Sequence, residues 1–119
     1  MIKIGFILPS SHYLNDPFRG DPFTHLQLLT VLEEHYGNKA ELCLPDLRGV
    51  QREFAFYHIP ECDIYLLSIY TLDINEQKVI VAMLRRQYPK AVHLAGGPHA
   101  SEFPDESLQI FNALIIGEG

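Results

Sequence analysis

Asp63 to Tyr70 contains Ile64-Tyr65-Leu66-Leu67-Ser68-Ile69-Tyr70, a run almost unbroken in apolar and aromatic side chains. A strand with no polar face to offer water belongs inside a parallel sheet covered on both sides. Parallel neighbours need crossover connections, usually helical, so this one segment narrows the fold to layered α/β. The flanking sequence supplies the other layers. Ile2 to Leu8 is a short β-branched run closed by Pro9, and Ala40 to Leu44 is closed by Pro45. Ala91 to Ala95 runs into Gly96-Gly97-Pro98, and Ala113 to Ile116 runs into Gly117-Glu118-Gly119. Each has the length and punctuation of a buried strand.

Helical patterns alternate with these strands. Thr24 to Tyr36 predicts a helix with Leu26, Leu29, Val31, Leu32 and Tyr36 on its apolar face, Thr24 as cap and Gly37 as stop. Asn75 to Tyr88 is the clearest: Val79, Ile80, Ala82, Met83 and Leu84 form the apolar side, and Glu76, Lys78, Arg85 and Arg86 face water. Asp73 or Asn75 is its expected cap, and Pro89 its stop. Gln51 to Tyr57 suggests a shorter helix. Pro104-Asp105-Glu106 opens another, with proline in the first turn and acids at the positive end of the dipole. The order predicts right-handed crossovers and a doubly wound parallel five-stranded sheet, flavodoxin-like or Rossmann-like, forming one domain over residues 1–119. Such sheets bind ligands at the carboxyl ends of their strands. The unusual loops follow strands one, three, four and five and gather on that edge. The longest, Pro9 to Pro22, is dense in turn formers and has the length of a functional loop. A doubly wound domain normally covers its last strand with a helix, so the expectation is a fragment.

Charge restricts the partners. With 9 Lys+Arg against 15 Asp+Glu the net charge is -6, which disfavours nucleic acid and anionic membrane surfaces, since both demand a basic face. A neutral or weakly anionic ligand fits better. No apolar run reaches the length of a membrane span. Met1-Ile2-Lys3-Ile4 enters a strand without the features of a signal peptide, so a cytoplasmic location is expected. Cys43 and Cys62 form no Cys-x-x-Cys pair and read as buried reduced thiols.

Three stretches on the predicted edge carry chemistry. The first is Gly96-Gly97-Pro98-His99-Ala100-Ser101. Paired glycines there either let a bulky ligand approach bare backbone or serve a tight turn that needs positive φ. The second is Ser68-Ile69-Tyr70-Thr71, whose hydroxyls suit either a ligand's heterocycle or their own backbone. The third is Gly117-Glu118-Gly119, which suits a ribose or phosphate, or equally a terminal turn. His99 sits on the same edge, where it contacts ligand or orders the loop, while His93 lies in a strand and is expected to be packed. No His/carboxylate cluster has ligand spacing, so no residue is assigned to a metal.

Taken together, the run from Leu67 to Gly119 resembles the N-terminal cobalamin-binding domain of B12-dependent radical SAM proteins. The elements that carry the resemblance are Ser68 to Thr71, Arg85 to Pro89, Gly96 to Ser101, Pro104 to Glu106 and Gly117 to Gly119, in that order. Met1 to Pro60 matches only in layout and in Leu44-Pro45-Asp46. The resemblance implies cobalamin across the carboxyl edge, bound base-off. Its dimethylbenzimidazole tail is implied beside Ser68, Gly96 and Gly97, with Tyr70, Thr71, Pro98 and His99 in the same site. Gly117, Glu118 and Gly119 are implied near the nucleotide end of the tail. The corrin face is implied against residues between Ser10 and Gly20 and around Leu47-Arg48. The Asp-x-His-x-x-Gly box of methionine synthase-like domains is absent, which leaves His12 as a weak candidate for cobalt. A Cys-x-x-x-Cys-x-x-Cys motif is absent too, so a [4Fe-4S] cluster and S-adenosylmethionine belong only to a separate catalytic domain in cis. By itself the chain carries or positions the cofactor and is not expected to be catalytic. Three other readings share the layout. A phospho-receiver lacks its acidic pocket here, and a flavin or nucleotide module lacks a Gly-rich loop after strand one. A degenerate, ligand-free interaction domain is the third.

Overall fold

The structure, a computed structural model, describes residues 2–10, 23–48, 50–70 and 74–116. Five strands are formed: β1 (Ile2–Ile7), β2 (Ala40–Cys43), β3 (Ile64–Ser68), β4 (Val92–Gly96) and β5 (Ala113–Leu114). They make one sheet in the order β2-β1-β3-β4-β5, with every neighbouring pair parallel. This is the flavodoxin-like order, and the expected α/β fold is present. Its switch point lies between β1 and β3, where the chain first runs outward to β2 and then returns past β1. Leu8 extends β1 through a parallel bridge to Asp46.

The connections are helix α1 (Phe23–Tyr36), a 3-10 helix (Arg52–His58), α2 (Ile74–Gln87), and two short helices, α3 (Pro98–Glu102) and α4 (Pro104–Leu108). The steps from β2 to β3, β3 to β4 and β4 to β5 all move one way across the sheet. With right-handed crossovers their helices share one face, and α1 takes the other. The contact of α2 with the 3-10 helix agrees with that sharing.

The shared face holds the core. Ile7, Tyr65, Leu67, His93 and Ala95 point into it and meet Leu47, Ile59, Cys62, Ile80, Val81, Leu84 and Phe111, all buried. Each large apolar side chain buried there contributes about 1.5–3 kcal/mol. On the opposite face the register stacks Ile4, Ile64 and Val92 along one row and Phe6, Leu66 and Leu94 along the next, with Phe6 itself buried. Ile4, Ile64, Leu66 and Leu94 are half-buried, and Val92 is exposed.

Several expectations shift on contact with the structure. Helix α1 starts at Phe23, so Thr24 lies within it and is not its cap. Helix α2 starts at Ile74, which puts Asn75 in the first turn, and Asp73 lies outside the described residues. The side of α2 that faces the core is Ile74, Gln77, Ile80, Val81 and Leu84, while Val79 is 45% exposed and Ala82 is exposed. Helical phase explains the difference: 74, 77, 80, 81 and 84 form one stripe at 3.6 residues per turn, and Val79 and Ala82 do not. Pro98 to Glu102, expected as loop, is helical. Residues 52–58 are helical as expected, in 3-10 form.

Candidate functional site

The carboxyl ends of the strands meet along one edge, and the turn after β4 is stitched to the end of β3. Ile69 N donates to Gly96 O at 2.8 Å, and His99 N donates to Ile69 O at 3.0 Å. Between those bonds Gly97 adopts φ 95° and ψ -179°, a region essentially reserved for glycine. A Cβ there would lie 2.9 Å from Ile69 N and 3.0 Å from both Ile69 O and Ser68 Oγ. The missing side chain of Gly97 therefore makes room for the protein's own β3.

Gly96 differs. It is the Cα partner of Ser68, and a Cβ would rest 3.5 Å from Ile115 O and 3.6 Å from Ile115 Cβ, ordinary contact distances. Its φ is not positive. Nothing among the described residues requires glycine there. By pleat alternation Ser68 and Gly96 lie on the α1 face, above Leu66–Leu94 and Ile64–Val92. The result is an apolar strip two strands wide, headed by a hydroxyl and a bare backbone position.

The other expected site residues fall as follows. Tyr70 stands at the edge, 48% exposed. Pro98 opens α3 and is exposed. His99 is 3% exposed, its ring 4.9 Å from that of Phe103 and its Nε2 3.6 Å from Glu106 Oε1. The His99 ring is therefore closed off from the edge in this arrangement. Thr71, Gly117, Glu118, Gly119 and His12 lie outside the described residues, as does most of the loop from Pro9 to Pro22. Of the positions implied against the corrin, Leu47 is 1% exposed within the core. Arg48 is paired with Asp46 through Nε–Oδ1 at 3.0 Å and Nη2–Oδ2 at 2.8 Å.

On the core face of the switch point lies a contact absent from the sequence reading. Glu76, expected to face water, accepts from Ser10 N at 2.8 Å and from Ser10 Oγ at 2.7 Å. This carboxylate clamps the start of α2 to the exit of β1. The residues are 66 apart, and no local signal links them. Beneath the clamp, a cavity of about 20 Å³ borders Leu47, Val50, Ala55 and Met83, room for roughly one water molecule. It is too small for a corrin or a benzimidazole ring.

Two buried polar residues also escape the apolar pattern. His93 is fully buried and stacks on Tyr65 with centroids 5.3 Å apart. Neither ring nitrogen has a hydrogen-bond partner among the described residues. Burial, aided by the Arg85 charge, pulls its pKa down to about 4. The expectation that His93 is packed holds. Gln77 is equally buried, and its amide likewise has no partner among the described residues. No group of three His, Cys, Asp or Glu able to hold a metal ion occurs among the described residues. No helix there is long and apolar enough to cross a membrane. In comparison with known proteins, the chain matches no protein-family model and no curated protein sequence.

Proposed function

We propose that this chain is a cobalamin-binding module, with the dimethylbenzimidazole tail lying on the α1 face of β3 and β4. The observation that carries the reading is the pairing of Ser68 with Gly96 at the head of an apolar strip. A flat heterocycle needs apolar surface for its rings and a hydroxyl for its nitrogen, and it needs a gap beside the strand end. Ser68 supplies the hydroxyl, Leu66, Leu94 and Ile64 the surface, and Gly96 the gap. Position supports the reading too, since Ser68 and Gly96 close β3 and β4 at the carboxyl edge where ligands of parallel sheets gather, one strand from the switch point. The fit extends to cobalamin alone. Two cysteines cannot supply the three thiolates of a radical SAM cluster, so radical chemistry in this reading belongs to a separate catalytic domain in cis. When bound, cobalamin supplies methyl transfer or a radical step to that partner. Like the ligand, the cytoplasmic location is part of the proposal.

The test compares corrin absorbance retained after desalting for wild type and Gly96→Phe, with circular dichroism as the check on folding. A Cβ at Gly96 meets Ile115 only at ordinary contact distances, and the circular dichroism spectrum shows whether the phenylalanine variant keeps its fold. Retention by wild type and its loss in Gly96→Phe is the expected result. Equal retention by both proteins overturns this placement of the tail, and no retention by either overturns the carrier role in favour of a ligand-free interaction domain. Gly97 is unsuitable for the test, because its replacement disrupts the turn whether or not a ligand binds.

A further inference from the structure

The two cysteines are 19 residues apart in sequence, yet their sulfurs lie 3.9 Å from each other. Cys43 ends β2, and Cys62 leads into β3, so the pair spans the strand between them. That strand passes beneath the sulfurs at Gly5, the Cα partner of Cys43. A Cβ on residue 5 would lie 2.9 Å from Cys62 Sγ and 3.4 Å from Cys43 Sγ. Gly5 has no positive φ to explain it. Glycine at this position leaves the space in which the two thiols meet. We propose that Cys43 and Cys62 form a reversible dithiol site, which small-molecule disulfides of the glutathione class oxidise to an intrachain disulfide.

A disulfide bond is about 2.0 Å long, so the sulfurs must close by roughly the same distance again. The thiols are unequal in ways that assign their roles. Cys43 is half-buried, and Cys62 is 4% exposed. A hydrogen bond from Cys62 lowers the Cys43 pKa to about 7, with Lys3 assisting and Glu41 and burial opposing. The same bond and burial push Cys62 up. The Tyr65 hydroxyl accepts from Cys62 N at 3.0 Å and donates to Pro60 O at 2.7 Å, holding the backbone of Cys62 in place. The reachable thiol is thus the one that ionises near neutral pH, as an attacking thiol must.

The Cys43 thiolate attacks one sulfur of the small disulfide, forming a mixed disulfide and releasing one thiolate. That thiolate takes up a proton. Cys62 then loses its proton, and its sulfur attacks the Cys43 sulfur, breaking the mixed disulfide and releasing the second small thiol. The two protein thiols are oxidised to one disulfide, and the small disulfide is reduced to two thiols. The product ties β2 to the entrance of β3 across β1.

The experiment incubates the folded chain with oxidised glutathione, quenches in acid, alkylates in denaturant and weighs the intact protein. Wild type is expected to lose the mass of two hydrogen atoms and to take up no alkyl group, with a peptide joining Cys43 to Cys62 and full reversal by a reductant. Cys62→Ser is expected to trap one glutathione on Cys43, and Cys43→Ser to take up none. Gly5→Ala keeps both thiols but places a methyl group against Cys62 Sγ, and slower closure is expected. Should that variant fail to fold, the two serine variants decide alone. Two alkylatable thiols surviving in wild type, a stable glutathione adduct on wild type, or a crosslink formed only in denaturant overturns the proposal.

Discussion

Gly97 and Gly96 adjoin in sequence and do different work. The φ of 95° and the nearness of Ile69 account for Gly97 without any ligand. Gly97→Ala is expected to cost about 1–3 kcal/mol through its backbone conformation alone, measured as a fall in the urea midpoint. An unchanged midpoint would show that the turn tolerates a side chain. At Gly96, alanine is expected to be near neutral in the same measurement. His93 makes a second residue-scale prediction. Its folded pKa near 4 lies below the ordinary value of about 6.5. As pH falls, the unfolded chain takes up this proton first, so stability is intact above about pH 6.5 and drains away toward pH 4, by about 3 kcal/mol in all. His93→Phe keeps the stacking on Tyr65 and removes the proton site. Urea denaturation at pH 8 and pH 5 should show a smaller acid loss for the variant, and equal losses would contradict this assignment. The sequence marked both glycines and placed His93 in a strand. It could not divide the roles of the glycines, because the division depends on β3 and β5 lying alongside.

At the scale of elements, Ser10 and Glu76 join the exit of β1 to the first turn of α2. Glu76→Ala leaves two Ser10 donors without their acceptor and is expected to cost about 1–3 kcal/mol. Amide exchange at Ser10 should quicken beyond the change in global stability, and exchange that tracks only global unfolding would deny the clamp. Strand positions were legible because four apolar runs ended at proline or glycine and the fifth, Ile64 to Tyr70, was almost unbroken. The inward side of α2 was not, because apolarity and helical phase disagree there: Gln77 lies inward and Val79 outward. Helix α3 was hidden by Gly-Gly-Pro, which reads as a turn although proline also opens helices. The clamp itself had no sequence signal, since a carboxylate on an amphipathic helix looks solvated until its partner from another strand is seen.

Across the whole molecule, the two faces of the sheet are unequally covered by the described residues. The 3-10 helix, α2, α3 and α4 share the core face, and α1 takes the other. The nearly continuous apolar run from Ile64 to Tyr70 implied cover on both faces, yet Ile64, Leu66 and Leu94 remain half-buried and Val92 exposed. The proposed tail site draws on that asymmetry, for it needs apolar surface that the described residues leave partly exposed. Charge fits the same picture, since a net charge of -6 suits a ligand held by shape better than one held by phosphates. The most direct measurement is a methyl nuclear magnetic resonance spectrum of Ile, Leu and Val, recorded before and after adding hydroxocobalamin. The account predicts shifts at Ile64, Leu66, Val92 and Leu94, with Leu47, Val50 and Ile80 on the core face undisturbed. A spectrum unchanged by cobalamin, or shifts confined to the core-face residues, would contradict it.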